Sequence, residues 1–177
     1  AVLLFSLSIL PLNATAQAAP TTTAAPESFP RILNAAEATP LLPPAVFFRG
    51  QSASTQTRNS AGVQFAKDAL LLATLVDTSG YSSSIQEKYQ AYLITEVPIQ
   101  FDGHRLPPGA YGFGFIAEDN FIVMDIGGHD LFRVPSTRDA TLRRPTPLQI
   151  LNSPTSPQHF RLYAGRNFVE FTSAESH

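Results

Sequence analysis

The 177 residues include no cysteine and no tryptophan. Without cysteine there can be no disulfide, no thiolate metal ligand, no thiol nucleophile and no lipid-anchored N-terminal Cys. The fold must therefore be held by its core. Without tryptophan the usual platform for stacking a sugar is weakened. Lysine is scarce as well, Lys67 and Lys88 being the only two. The formal net charge of -2 leaves no basic excess. That argues against a nucleic-acid binder and against electrostatic docking on anionic membranes. Long apolar runs are missing too. The clearest, Ala1–Leu10 (AVLLFSLSIL), falls well short of the ~20 residues of a spanning helix.

That short run is informative in its own right. Pro11 interrupts it, and Ala14-Thr15-Ala16 and Ala16-Gln17-Ala18 follow with the small-x-small pattern of a signal-peptidase site. An apolar core followed by small residues reads as a secretory signal peptide over 1–18. A mature start near Gln17 to Ala19 is expected. The competing reading is a buried N-terminal helix. The chain begins at Ala1 without Met or a basic n-region, which we read as a gene fragment lacking a few residues. The sequon Asn13-Ala14-Thr15 lies inside the signal. Residues 19–44 are rich in Pro, Thr and Ala and read as a linker, because such a stretch buries little apolar area. Residues 45–173 then form one domain of ordinary length. The excess of Arg over Lys suggests a GC-rich bacterial genome. Absence of disulfides in an exported chain suits the periplasm or the bacterial exterior.

Fifteen prolines cut the chain into short pieces, and helices have little room between them. What remains alternates with period two. Ala45–Gly50 is a short strand. Gln51–Ser60 is a loop or an exposed edge strand. Gly62–Ala66 and Ala69–Val76 flank a tight turn at Lys67-Asp68. The second arm, ALLLATLV, is a strand buried on both faces, with a helix as the competing reading. Ser84-Ile85-Gln86-Glu87 fits a capping box and predicts a short helix over about Ile85–Gln90. Ala91–Phe101 is a strand whose Leu93, Thr95, Val97, Ile99 and Phe101 share a face, with Pro98 demanding an edge or a bulge. After a turn at Asp102-Gly103, Ala110–Ala117 puts Tyr111, Phe113 and Phe115 on one face and Ala110, Gly112, Gly114 and Ile116 on the other. Glu118-Asp119-Asn120 turns the chain into Phe121–Ile126. Asp130–Val134 follows the break at Gly127-Gly128. Pro135–Pro147 is a long surface connection, Leu148–Leu151 a short strand or turn, and Phe160–Thr172 a terminal hairpin turning at Ala164–Asn167. Eight to ten short strands at this spacing predict a single-domain, all-β antiparallel sandwich or barrel, jelly-roll-like or immunoglobulin-like, with at most one or two short helices.

Leu106-Pro107-Pro108-Gly109-Ala110-Tyr111 is a strand entry. Proline sets φ, Gly109 is expected to supply a turn with φ > 0, and Tyr111 opens the strand. With Asp102-Gly103-His104-Arg105 before it, the string resembles the L-P-x-G-x-Y entry of exported bacterial β-sandwich domains, prealbumin-like and carboxypeptidase-regulatory-like modules among them. It is similar above all to a secreted bacterial family of unknown function. The resemblance spans about 35 residues, Tyr92–Ile126. It implies a fold class and carries no catalytic motif with it.

Candidate chemistry is thin. His104, Asp125 and His129, if they converged at one sheet end, would make a two-His-one-carboxylate metal site and support a hydrolase. Otherwise they are turn formers, and no H-x-H element supports them. Ser79 lacks a nucleophile-elbow context. Glu96 and Glu118 could act as a carboxylate pair, although Glu118 sits where a hairpin turns. Arg143 and Arg144, with Arg133 and Arg138 near in sequence, could hold an anion or form a solvated loop. Tyr111, Phe113 and Phe115 could line a ligand pocket or belong to the core. The glycines opposite them imply that a second layer or a ligand packs closely there. The expectation is a non-enzymatic binding or accessory module of the bacterial envelope, periplasmic or secreted, without cofactor. Its partner would be a small molecule or an envelope protein, with no nucleic acid and no transmembrane helix in the mature chain. The alternatives are the His104/His129 hydrolase and an assembly module that adds strands through an exposed edge.

Overall fold

The computed structural model describes residues 28–174. The expected signal peptide and residues 19–27 of the Pro/Thr/Ala stretch lie outside them. Two antiparallel sheets packed face to face make an all-β sandwich.

The first sheet begins with β1 (Arg31–Leu33), β2 (Ala45–Phe48), β3 (Gln51–Ala66), β4 (Ala69–Val76) and β5 (Ala91–Thr95). It is completed by β8 (Gly109–Ile116), β9 (Asn120–Met124) and β10 (Asp130–Pro135), in the order β1-β3-β4-β5-β8-β9-β10 with β2 paired to β3. The second contains β6 (Ile99–Phe101), β7 (His104–Leu106), β11 (Thr137–Arg138), β12 (Thr146–Asn152), β13 (His159–Gly165) and β14 (Asn167–Ser173). Its order is β12-β13-β14-β6-β7, with β11 also paired to β14.

Turn chemistry explains the hairpins. Arg49-Gly50 and Asp102-Gly103 each place two consecutive residues at positive φ, the signature of the two-residue turn whose twist matches paired strands, while Glu118 and Asp119, also at positive φ, belong to a three-residue loop between the paired Ile116 and Asn120. Alternation then decides the faces. Leu93 of β5, Phe113 of β8, Phe121 and Val123 of β9 pack against Phe101, Phe160, Leu162, Val169 and Phe171 of the second sheet. At Pro98 the chain crosses between sheets: β5 ends at Thr95, and β6 starts at Ile99 in the other layer. Leu93, Val97, Ile99 and Phe101 all remain in the core through that crossing.

A smaller core lies on the outer face of the first sheet. The β2–β3 hairpin folds back over it, so that Phe48 stacks on Tyr89 with ring centroids 3.8 Å apart. The Tyr81 hydroxyl donates to the Phe48 carbonyl at 3.0 Å and the Tyr92 hydroxyl to that of Phe47 at 3.2 Å. The second layer expected over the β8 glycines is therefore protein. A Cβ on Gly112 would meet Phe48 at 2.6 Å, and one on Gly114 would strike the Lys88 carbonyl oxygen.

Several expectations are corrected. The folded unit starts before residue 45. β1 pairs with β3, and Asn34 caps α1 (Ala35–Ala38) with the capping box completed by Glu37. Leu33, Ala38 and Leu42 are buried against Leu72, which is why this Pro-flanked stretch orders. Of the two readings of Gln51–Ser60, loop or strand, the strand holds: it is the first part of the sixteen-residue β3. The short helix α2 runs over Ser83–Gln86 after Ser82, two residues earlier than the capping-box string suggests, and without a side-chain cap. Gly109 is not at positive φ; it is already a strand residue paired with Thr95.

Candidate functional site

A groove of about 750 Å³ opens on the outer face of the second sheet. It follows from alternation in the terminal hairpin. Phe160, Leu162, Val169 and Phe171 turn inward, so His159, Arg161, Phe168, Glu170 and Thr172 face out. Gln100 of β6, the Asp102-Gly103 turn, and Pro135 and Thr137 from the other side complete the walls.

Its centre is an ion pair directly across two strands. Arg161 and Glu170 stand opposite in the β13–β14 register, and Arg161 Nε donates to Glu170 Oε1 at 2.8 Å. The guanidinium lies over the Phe168 ring, 4.3 Å from its centroid. Ser153 Oγ donates to the same carboxylate oxygen at 2.8 Å, and His159 Nδ1 is 3.9 Å from Glu170 Oε2. Partial burial opposes ionisation of Glu170. The hydrogen bonds from Arg161 and Ser153, with the nearby charges, outweigh it and hold the carboxyl below the ordinary glutamate range. Burial likewise disfavours the Arg161 cation, yet its contacts with Glu170 and Tyr163 raise its pKa on balance. Beyond the groove the Tyr163 hydroxyl donates to Asp139 Oδ2 at 3.0 Å. Two planar, charged groups are thus fixed in place, as a polar binding surface requires.

The residues singled out from sequence lie elsewhere. Phe113 is 1% exposed and packs against Phe121. Phe115 also contacts Phe121, with centroids 5.1 Å apart. The Tyr111 hydroxyl donates to the Pro107 carbonyl at 2.8 Å. The aromatic row is core and core margin, and no part of it lines the groove. Arg143 and Arg144 are exposed in the connection between β11 and β12. That connection is organised by a different arginine: Arg166 Nη1 donates to the carbonyls of Asp139, Ala140 and Leu142.

The metal alternative is not assembled. His129 pairs locally with Asp125, Nδ1 to Oδ2 at 2.9 Å, while His104 stacks on Phe132 with centroids 4.9 Å apart. Among the described residues no three His, Cys, Asp or Glu side chains are placed to share an ion. Ser79 belongs to a turn in which its N–H bonds Asp77 Oδ1. The Glu96 carboxylate accepts from the Leu70 N–H, and Glu118 occupies its hairpin turn.

Sequence reasoning missed His159, Arg161, Phe168 and Glu170. A signal for part of the site was present, because Arg161 and Glu170 are equidistant from the Ala164–Asn167 turn and must face each other in any hairpin built there. No family model, no curated protein and no solved structure matches this chain. Among the described residues no helix is long and apolar enough to cross a membrane.

Proposed function

We propose that the protein is an exported module of the bacterial envelope that binds a ligand without transforming it, and that the groove on the second sheet is its binding site. The observation that carries this reading is the fixed Arg161–Glu170 pair, backed by Phe168 and Ser153, in the wall of a groove of about 750 Å³. That volume falls in the range of small-molecule sites. Export is supported by the signal-like first 18 residues, and the lack of cysteine suits a bacterial envelope better than a eukaryotic secretory route. The resemblance of Leu106–Tyr111 to the strand entry of secreted bacterial sandwich domains agrees with it.

The edges of the sheets favour groove binding over addition of whole strands. β1 and β7 are three residues long. β10 carries a bulge between Asp130 and Phe132 and ends in Pro135. β12 contains Pro147 and a register shift. Short, bulged and proline-bearing edges resist pairing with another chain.

The test is native mass spectrometry of the protein isolated from a bacterial envelope fraction, alongside Arg161→Ala. A ligand that co-purifies with the parent, dissociates unchanged and is lost from the variant is the expected result. A bound species that the protein converts to product, or equal retention by the variant, would overturn the reading.

A further inference from the structure

The strand registers lay out a polar grid on the outer face of the second sheet. Between β13 and β14, Arg161 stands opposite Glu170 and His159 opposite Thr172. On the other side of β14, Thr172 is opposite Gln100 and Phe168 opposite Thr137. Alternation along β14 keeps Phe168, Glu170 and Thr172 on one face, and all of these residues line the groove.

At the centre of the grid, hydrogen-bonding capacity is left over in both senses. Arg161 spends Nε on Glu170 Oε1 at 2.8 Å, and Ser153 Oγ donates to the same oxygen. The other carboxylate oxygen, Oε2, has His159 Nδ1 at 3.9 Å, beyond hydrogen-bond reach. A guanidinium carries five N–H donors and a carboxylate about four lone-pair sites. Donors on Arg161 and an acceptor on Glu170 therefore remain side by side. Gln100 and Thr137, one on each flank of Glu170, each bring a further donor and acceptor.

Charge and geometry then select the ligand. A carboxylate or phosphate that met Arg161 would also meet the Glu170 carboxylate. An ammonium that met Glu170 would also meet the guanidinium. Either ion would set a like charge beside a partly buried one, which is costly. A hydroxyl carries no charge and both donates and accepts. Two hydroxyls on adjacent ring carbons lie side by side, as the unspent edges of Arg161 and Glu170 do. One accepts from the guanidinium while the other donates to the carboxylate. A trans peptide unit does not match, because its N–H and C=O point in opposite directions. The Phe168 ring is covered by the guanidinium, so the ligand is held by its edge hydroxyls without stacking, in keeping with the lack of tryptophan.

Resting on the groove as the binding site, we propose that its ligand is a neutral oligosaccharide, gripped through a pair of adjacent ring hydroxyls by Arg161 and Glu170. Gln100 and Thr137 take hydroxyls further along.

The test is binding of the full chain to immobilised oligosaccharides in three groups: neutral, uronic-acid and amino sugars. Saturable binding confined to neutral members with free adjacent hydroxyls is expected. It should change less than twofold between about 50 and 500 mM salt, because a neutral ligand leaves little for salt to screen. Periodate cleavage followed by borohydride reduction splits adjacent ring hydroxyls apart and keeps their oxygens; it should weaken binding at least tenfold. Arg161→Ala and Glu170→Gln should each weaken it at least tenfold, and Gln100→Ala at least threefold. Gln100→Ala leaves the ion pair and the core untouched, so the question stays decidable if the ion-pair variants fold poorly. Binding only to charged members, full binding after periodate, unchanged binding by the variants, or no binding to any member would overturn the proposal. Should an envelope ligand still need Arg161 in that case, only the oligosaccharide inference falls; should it not, the groove reading falls as well.

Discussion

Arg161 and Glu170 face each other across the terminal hairpin, Nε to Oε1 at 2.8 Å, with the Phe168 ring beneath the guanidinium. The Arg161 side chain is only 18% exposed and that of Glu170 34%, so water screens the pair in part. A cross-strand pair of this kind contributes about 0.2–1 kcal/mol, and cation–π stacking adds a similar amount. Arg161→Ala is expected to lower stability by about 0.5–1.5 kcal/mol in denaturant titrations. A double-mutant cycle with Glu170→Ala should show favourable coupling. Zero coupling would mean that the two side chains act independently.

The same pair makes stability depend on pH. Glu170 is held below its ordinary pKa of 4.5: burial opposes ionisation, but the bonds from Arg161 and Ser153 prevail. A carboxyl with a depressed folded pKa contributes stability fully above its unfolded pKa and loses it as pH falls through the folded one. The stability gap between the parent and Glu170→Gln should be constant from pH 7 to about 5, then close on acidification below about 4.5. A gap that persists undiminished at pH 2.5 would contradict this assignment.

Gly112 and Gly114 let the second layer approach β8. An added Cβ would overlap Phe48 at the first position and the Lys88 carbonyl at the second. Overpacking of this sort costs about 1–3 kcal/mol. Gly114→Ala should sit at the upper end, because it meets backbone and not a side chain that can rotate. Thermal melts of both variants, with Gly109→Ala as the milder comparison, would check the ranking. At Gly109 the new methyl meets only the far end of the Tyr111 ring.

Phe113 offers the test of the core. It is buried between the sheets beside Phe121, and Phe113→Ala should cost about 3–5 kcal/mol. Phe47, 54% exposed on β2, should tolerate alanine within about 0.5 kcal/mol. Similar denaturation midpoints for the two variants would refute this division of inner and outer rings.

What was legible in the chain is what local chemistry controls. Asp102-Gly103 and Glu118-Asp119-Asn120 announce tight turns, and strict alternation in Tyr111–Phe115 and Phe160–Phe171 separates inner from outer faces. Those features were enough for an all-β sandwich and for most strand positions. Arg31–Leu42 was misassigned because its order comes from contacts with β3 and Leu72, distant in sequence. The expectation of a turn glycine at Gly109 failed because pairing with Thr95 draws that residue into the ladder.

The candidate site divides in the same way. That Arg161 faces Glu170 follows from the position of one turn. That Asp102 and Thr137 come to flank Glu170 does not follow from any local pattern. It depends on β6 and β11, from separate parts of the chain, sharing one lane beside β14. By itself the sequence determined turns, faces and the absence of disulfides, because side-chain period and backbone preference act over a few residues. Only the tertiary structure decided which strands are neighbours and which side chains come together in the groove, because that choice is made by burying the whole core at once.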